Sequence, residues 1–248
     1  MRVLVAVDDT DNLETKGTGH LAEAIACGVE QKGWGTRSYV TRHQLLVHPD
    51  VPYTSHNSSM CVAVDLSEAH LEELTSDAAA LLERESAPGS DPGLCLAVPE
   101  RLNRTDELVA FGERAKRTVL EKEEAHDLAR RLGIHLSAHG GTGGGVIGAL
   151  AAVGLRLGGN DGRLRGHVVI EKVDANGVTT VRDLRAHPHI TSVRTLDGVV
   201  LRDDEAVLLS DWKVKPVMQG GTGVLLVTES SSEEARWQTC PRSVLKSF

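Results

Sequence analysis

A chain of 248 residues has room for one large domain or two small ones, and its net charge of −8, from 27 basic against 35 acidic residues, argues against a broad basic surface for gripping nucleic-acid backbone. Aromatic residues make up only 3%, too few for a base-stacking platform. The longest apolar-and-glycine run, Val146 to Leu157, is too short for a membrane span, no secretion signal opens the chain, and Cys27, Cys61, Cys95 and Cys240 form no C-x-x-C pair; a cytoplasmic protein without zinc ribbon or disulfide scaffold is expected.

Arg2-Val3-Leu4-Val5-Ala6-Val7 is rich in β-branched residues and free of breakers, which predicts a buried strand. Asp8, Asp9 and Asp11 follow where that strand leaves its sheet. Three carboxylates in four residues repel one another, so a fold that clusters them needs a cation, and hard oxygen ligands suit Mg²⁺. The alternative is a solvated acidic loop that caps the next helix. Gly17-Thr18-Gly19 then leads into an amphipathic helix from His20 that ends near Gly33. Thr36 to Arg42 and Met60 to Leu66 read as strands, separated by a loop of prolines and small polar residues. Ser67 is placed to cap a second helix through Leu81, and Leu94 to Val98 reads as a fourth strand after the loop Pro88–Gly93. The order is β-α-β-β-α-β, a ferredoxin-like pattern that implies an antiparallel sheet with helices on one face.

Thr105 to Gly133 is helical, with a break near Leu120, and Ile134-His135-Leu136 is a brief strand. His139-Gly140-Gly141-Thr142-Gly143-Gly144-Gly145 follows, feeding an apolar helix from Val146. A glycine-rich loop at a helix N-terminus offers backbone N–H groups and a positive dipole end to an anion. It is not a P-loop, because no G-K-[ST] follows. Its alternative is a flexible loop before a closely packed helix. From Gly166 the pattern turns β-rich: Val168–Val173 and Val178–Leu184 flank the hairpin signal Asn176-Gly177, and further short strands follow at 199–201, 206–209, 213–218 and 224–227. The fold class expected is α+β, a ferredoxin-like N-terminal unit with added helices over 1–162 and a smaller β-rich C-terminal unit over 163–248.

Gly-Thr-Gly occurs at Gly17–Gly19, Gly141–Gly143 and Gly221–Gly223, where composition alone predicts roughly 0.2 occurrences. Several such turns facing one polyphosphate would explain the excess. A plain hairpin turn is the rival reading for Gly221–Gly223. His187-Pro188-His189 is a minor metal candidate, with an exposed turn as the stronger alternative.

Three blocks in order resemble the archaeal tRNA-isoleucine 2-agmatinylcytidine synthetases. Val5-Ala6-Val7-Asp8-Asp9-Thr10-Asp11 is similar to the family's strand and Asp-Asp-Thr-Asp; His48-Pro49-Asp50-Val51-Pro52-Tyr53-Thr54 is similar to its Asn-Pro-x-Ile-Pro-Tyr-Lys loop. Gly145-Val146-Ile147-Gly148-Ala149-Leu150-Ala151-Ala152-Val153-Gly154 is close to its Gly-Leu-Ile-Gly-Ala-Leu-Ala-Ala-Val-Gly helix. The resemblance implies a kinase-like catalytic domain over 1–162 that uses ATP to phosphorylate a carbonyl oxygen before an amine displaces the phosphate. It implies that Asp8, Asp9 and Asp11 handle Mg²⁺ and the phosphates. In a gapless register Thr18 falls at the family's phosphorylated threonine; a one-glycine shift puts His20 there. Thr54 replaces the loop's lysine and His56-Asn57 stands where Arg-Gly-Asn is expected, which removes two fixed cations. No signature of the family's OB domain or zinc ribbon is found.

The expected function is therefore an ATP- and Mg²⁺-dependent phosphotransferase or ligase-like enzyme, activating a carbonyl or amide oxygen of a small-molecule substrate. Asp8, Asp9, Asp11 and Thr18 are its candidate catalytic residues, the three aspartates also its metal ligands. Thr10, Gly17, Gly19, His139, Gly140, Gly141, Thr142, Gly143, Gly144 and Gly145 are candidates for the nucleotide, and His56 and Asn57 for the substrate. The alternatives are a non-catalytic nucleotide-binding or regulatory protein, and an RNA-modifying enzyme that relies on a partner for tRNA. No membrane partner is expected, and a homo-oligomer is left open.

Overall fold

The computed structural model describes residues 1–51, 57–209, 214–246 and 248, which divide into two units, Met1–Gly158 and Gly159–Phe248. The first is built around β1 (Arg2–Asp8), whose residues from Val3 onward are all buried. After it come α1 (Gly19–Gln31), β2 (Gly35–Arg37), β3 (Thr41–Gln44), β4 (Ser58–Leu66), α2 (Leu71–Glu85) and β5 (Gly93–Ala97). The unit closes with α3 (Thr105–Ala115), α4 (Lys122–Leu132), β6 (His135–Ala138) and α5 (Val146–Gly158). The strand order is β6-β5-β1-β4-β3, antiparallel throughout, with β2 also paired to β4.

Helices cover both faces of this sheet, not the single face that the strand and helix order alone implied. Val3, Val5 and Val7 pack with α1 and α2 residues such as Leu21, Ile25, Leu74 and Leu82. Leu4 and Ala6 pack on the other face with Leu108, Phe111, Leu128, Leu150 and Val153 of α3, α4 and α5. The signal lay in β1 itself, which is continuously apolar where a half-solvated strand would alternate. α5 is buried along almost its whole length and crosses α3 so closely that a Cβ on Gly154 would stand 2.1 Å from the Leu108 carbonyl oxygen.

Local expectations fared unevenly. The segment 105–133 does break, between α3 and α4. The strand expected over Thr36–Arg42 is split into β2 and β3. Ser67 makes no side-chain cap; a 3-10 turn, Glu68–His70, precedes α2. The four cysteines are free thiols, and no helix among the described residues is long and apolar enough to cross a membrane.

α1 offers a clean stability test. Gly28 is helical, and a Cβ there would meet nothing within 4 Å. Gly28→Ala is expected to stabilise the protein by about 0.5–1 kcal/mol, because glycine gives up more backbone freedom in a helix than alanine does. A rise in the urea midpoint at unchanged slope checks it.

The second unit holds β7 (Arg163–Leu164), β8 (Val178–Thr180), α6 (Val181–Arg185), β9 (Ser192–Thr195) and β10 (Ala206–Leu208). β11 (Val217–Gln219), β12 (Thr222–Glu229), β13 (Trp237–Thr239) and α7 (Arg242–Leu245) complete it. Its strands run in the order β7-β11-β12-β13-β10-β8, with β9 parallel to β12. Val178–Leu184 is not one strand: Thr180 accepts a hydrogen bond from the Asp183 N–H at 3.2 Å and starts α6. Asn176-Gly177 turns the chain, but Val168–Val173 contributes only an isolated bridge from Val168 to Val214. Gly220 and Gly221, at φ +58° and +72°, form the two-residue turn between β11 and β12, so the third Gly-Thr-Gly is part of a hairpin.

Candidate functional site

Antiparallel pairing decides what gathers at one end of the first unit's sheet. Asp8 pairs with Gly93, and Gly93 with Ala138, so the end of β1, the start of β5 and the end of β6 lie side by side. The acidic turn, the loop before β5 and the glycine loop all leave the sheet there, and α5 begins there. The junction is tight: the Gly145 N–H donates to the Asp91 carbonyl at 3.1 Å, and a Cβ on Gly148 would lie 1.8 Å from Asp8 Oδ2.

A cavity of about 220 Å³ opens at this end. Asp8, Asp9, Asp50 and Asp91 line it with Lys122, Asn57, Thr118, Thr142, Gly144, Gly145 and Gly148, and Leu45, Leu46, Val51, Ala115, Val119, Leu120 and Ile147 supply an apolar wall. Burial, followed by the neighbouring Asp9 charge, pushes the Asp8 carboxyl up to about 8. Burial and the Asp91 charge raise Asp9 as well. Asp9 is also the one non-glycine residue at positive φ (+50°) among the described residues, a conformation that Asp adopts more readily than most. For Asp91 burial works upward, but hydrogen bonds from the Thr142 hydroxyl and N–H and from the Gly144 N–H outweigh it and hold the carboxyl below its usual range.

The structure therefore brings together Asp8, Asp9, Asn57, Thr142, Gly144 and Gly145 of the expected residues. Asp11 accepts the Thr18 hydroxyl at 2.9 Å while its charge still helps to raise Asp8 and Asp9, and among the described residues no three His, Cys, Asp or Glu side chains gather as metal ligands. The turn places Asp11 two residues beyond the strained Asp9, on the α1 side. Thr18 caps α1 with its carbonyl and also accepts the Thr10 N–H at 3.4 Å; the Thr10 hydroxyl is buried without a partner. Thr10, Asp11, Gly17, Thr18, Gly19, Gly140, Gly141 and Gly143 do not line the cavity.

The His139 ring is also outside it, hydrogen-bonded to Glu83 at 3.2 Å and Ser137 at 2.8 Å. His56 lies outside the described residues. Asn57 is held in place, its amide donating to the Leu46 carbonyl at 2.6 Å.

Asp91, Asp50 and Lys122 were not singled out from the sequence. Asp91 was legible in principle, since antiparallel pairing of β1 with β5 sets the loop before β5 beside the turn after β1. Lys122, whose ammonium donates to the Thr142 carbonyl at 2.6 Å, carries no local signal.

No protein-family model matches the chain. An uncharacterized protein of Methanocaldococcus jannaschii is 32% identical over 159 residues, 62% of this chain and 50% of that protein. The crystal structure of a tRNA fluorescent labeling enzyme matches with a TM-score of 0.55 at 28% identity, over 62% of this chain and 36% of that one. The complex of TiaS with an isoleucine tRNA and ATP matches with a TM-score of 0.57 at 24% identity, over 82% of this chain and 50% of that one. The chain has a TiaS-like fold. The apo structure of TiaS, a tRNA agmatidine synthetase, matches in the same way, with a TM-score of 0.55. This is the family that the three sequence blocks resemble, and the chain spans half or less of the length of these relatives.

Proposed function

We propose that the chain is an ATP-using enzyme related to the tRNA-modifying synthetases, and that its first unit carries out phosphoryl transfer to a carbonyl or amide oxygen. The observation that carries this reading is the pair of buried Asp8 and half-buried Asp9 in the same cavity as Thr142, Gly144 and Gly145. Among the described residues neither Asp8 nor Asp9 makes an ion pair; burial and the neighbouring charge hold Asp8 protonated below about pH 8, and a divalent cation would let both carboxyls ionise. Asp8 and Asp9 would hold Mg²⁺, whose chemistry there is to neutralise phosphate charge. The amides of Thr142 and Gly144 and the Lys122 ammonium would hold polyphosphate, positioning and electrostatics being most of what such a transfer requires. The cavity is below the usual range of about 300–1,000 Å³ for small-molecule sites, which suits the phosphate end of a nucleotide. Asp11 accepts the Thr18 hydroxyl and would take up its proton in a phosphorylation of Thr18, although neither residue lines the cavity. The strand order β5-β1-β4-β3 supports reading this unit as ferredoxin-like with added helices, and residues 1–162 as the catalytic domain.

The acceptor is either a small molecule or tRNA. The structural neighbours, whose own structures concern tRNA enzymes, favour the second; a salt-sensitive gel shift with tRNA separates the two. The nucleotide reading is tested by isothermal titration with MgATP. Asp9→Asn is expected to bind at least about 100-fold more weakly than wild type, with the fold retained by circular dichroism. Equal affinity would remove Asp9 from the site.

A further inference from the structure

The glycine loop is closed around a carboxylate of the chain itself. Asp91 Oδ1 accepts the Thr142 N–H at 2.6 Å, and Asp91 Oδ2 accepts the Thr142 hydroxyl and, at 3.4 Å, the Gly144 N–H. The loop is shaped to this group: a Cβ on Gly141 would stand 1.6 Å from Asp91 Oδ1. These are donors that an incoming phosphate would use, and they cannot serve both anions at once. Charge acts in the same direction. Among the described residues lining the cavity, four carboxylates, Asp8, Asp9, Asp50 and Asp91, face one ammonium, Lys122. A bare polyphosphate meets engaged donors and a wall in which acidic groups outnumber basic ones.

We infer that Asp91 is a specificity-determining residue that makes polyphosphate binding conditional on a divalent cation. The cation offsets the carboxylates lining the cavity, and only a metal-bearing polyphosphate competes with Asp91 for the loop. The inference rests on the nucleotide reading above, and it goes beyond it by assigning the metal requirement to a residue outside the Asp8–Asp9 pair. A carboxylate that merely braces the loop would support metal-bound and metal-free ligands alike, so the ratio of the two affinities separates the roles.

The test titrates the full chain with ATP in Mg²⁺, ATP in EDTA, and inorganic triphosphate in EDTA. Wild type is expected to bind MgATP at least about 50-fold more tightly than metal-free ATP. Asp91→Ala should narrow that ratio at least about tenfold, mainly by strengthening metal-free ATP and triphosphate. Asp91→Asn, which keeps the volume and one acceptor, should narrow it in the same direction and stands in should the alanine variant fail to fold. An unchanged ratio, or equal weakening of both forms, overturns the inference and leaves Asp91 a loop brace. Absence of MgATP binding by wild type overturns the nucleotide reading itself, and this inference with it.

Discussion

Asp8→Asn is expected to make the unliganded protein more stable at pH 8 and, at the same time, unable to respond to MgATP. Asp8 is buried and its pKa stands near 8 in the fold, against about 3.9 in an unfolded chain. A group whose folded pKa is raised contributes fully below its unfolded value and loses that contribution as pH rises toward the folded one. Between about pH 4 and pH 8 the unfolded wild type therefore gains from an ionisation that the folded form resists. Asparagine has no such ionisation. The variant should match wild type near pH 4 and exceed it by up to about 5 kcal/mol at pH 8. Urea unfolding across that range measures the difference, and a variant less stable at pH 8 than at pH 4, relative to wild type, would show that burial does not govern this carboxyl. Saturating MgATP should then raise the wild-type midpoint and leave the variant unmoved, because a ligand stabilises only the fold that binds it. A residue that weakens the empty fold and strengthens the loaded one is what a cation site predicts.

Gly93→Ala is expected to have the largest effect on the fold. Gly93 opens β5 and pairs with Asp8, and a Cβ there would stand 2.2 Å from the carbonyl carbon and oxygen of Gly145 and 2.5 Å from the Val146 N. Those are backbone atoms at the start of a buried helix, so no side-chain tip can swing away. Either β5 leaves β1 or α5 leaves the sheet, and each route exposes core. A loss of at least about 4 kcal/mol is expected, above the usual cost of overpacking, together with loss of MgATP binding. Chemical denaturation and titration check the two halves. The contrast with Gly28→Ala, where the added methyl meets open space, separates a steric requirement from a propensity effect.

Much of this was written locally. The breaker-free run Val3–Val7, the acidic turn after it, the glycine loop feeding Val146 and the break between α3 and α4 depend on neighbours within a few residues, and composition and spacing report them. Where the reading missed, the deciding interaction was distant or faint. Val181–Arg185 turned helical through the Thr180–Asp183 cap, a short signal outweighed by β-branched residues on either side. Helices covered both sheet faces because the added elements, α3 to α5, had to bury their own apolar stripes on β1. Asp91 entered the cavity because strand register set Asp8 beside Gly93, a pairing that neither segment announces by itself. The order of residues determined which segments carry oxygen ligands and which are nearly bare of side chains. Only antiparallel pairing, between positions about eighty-five and forty-five residues apart, decided that they share one end of a sheet.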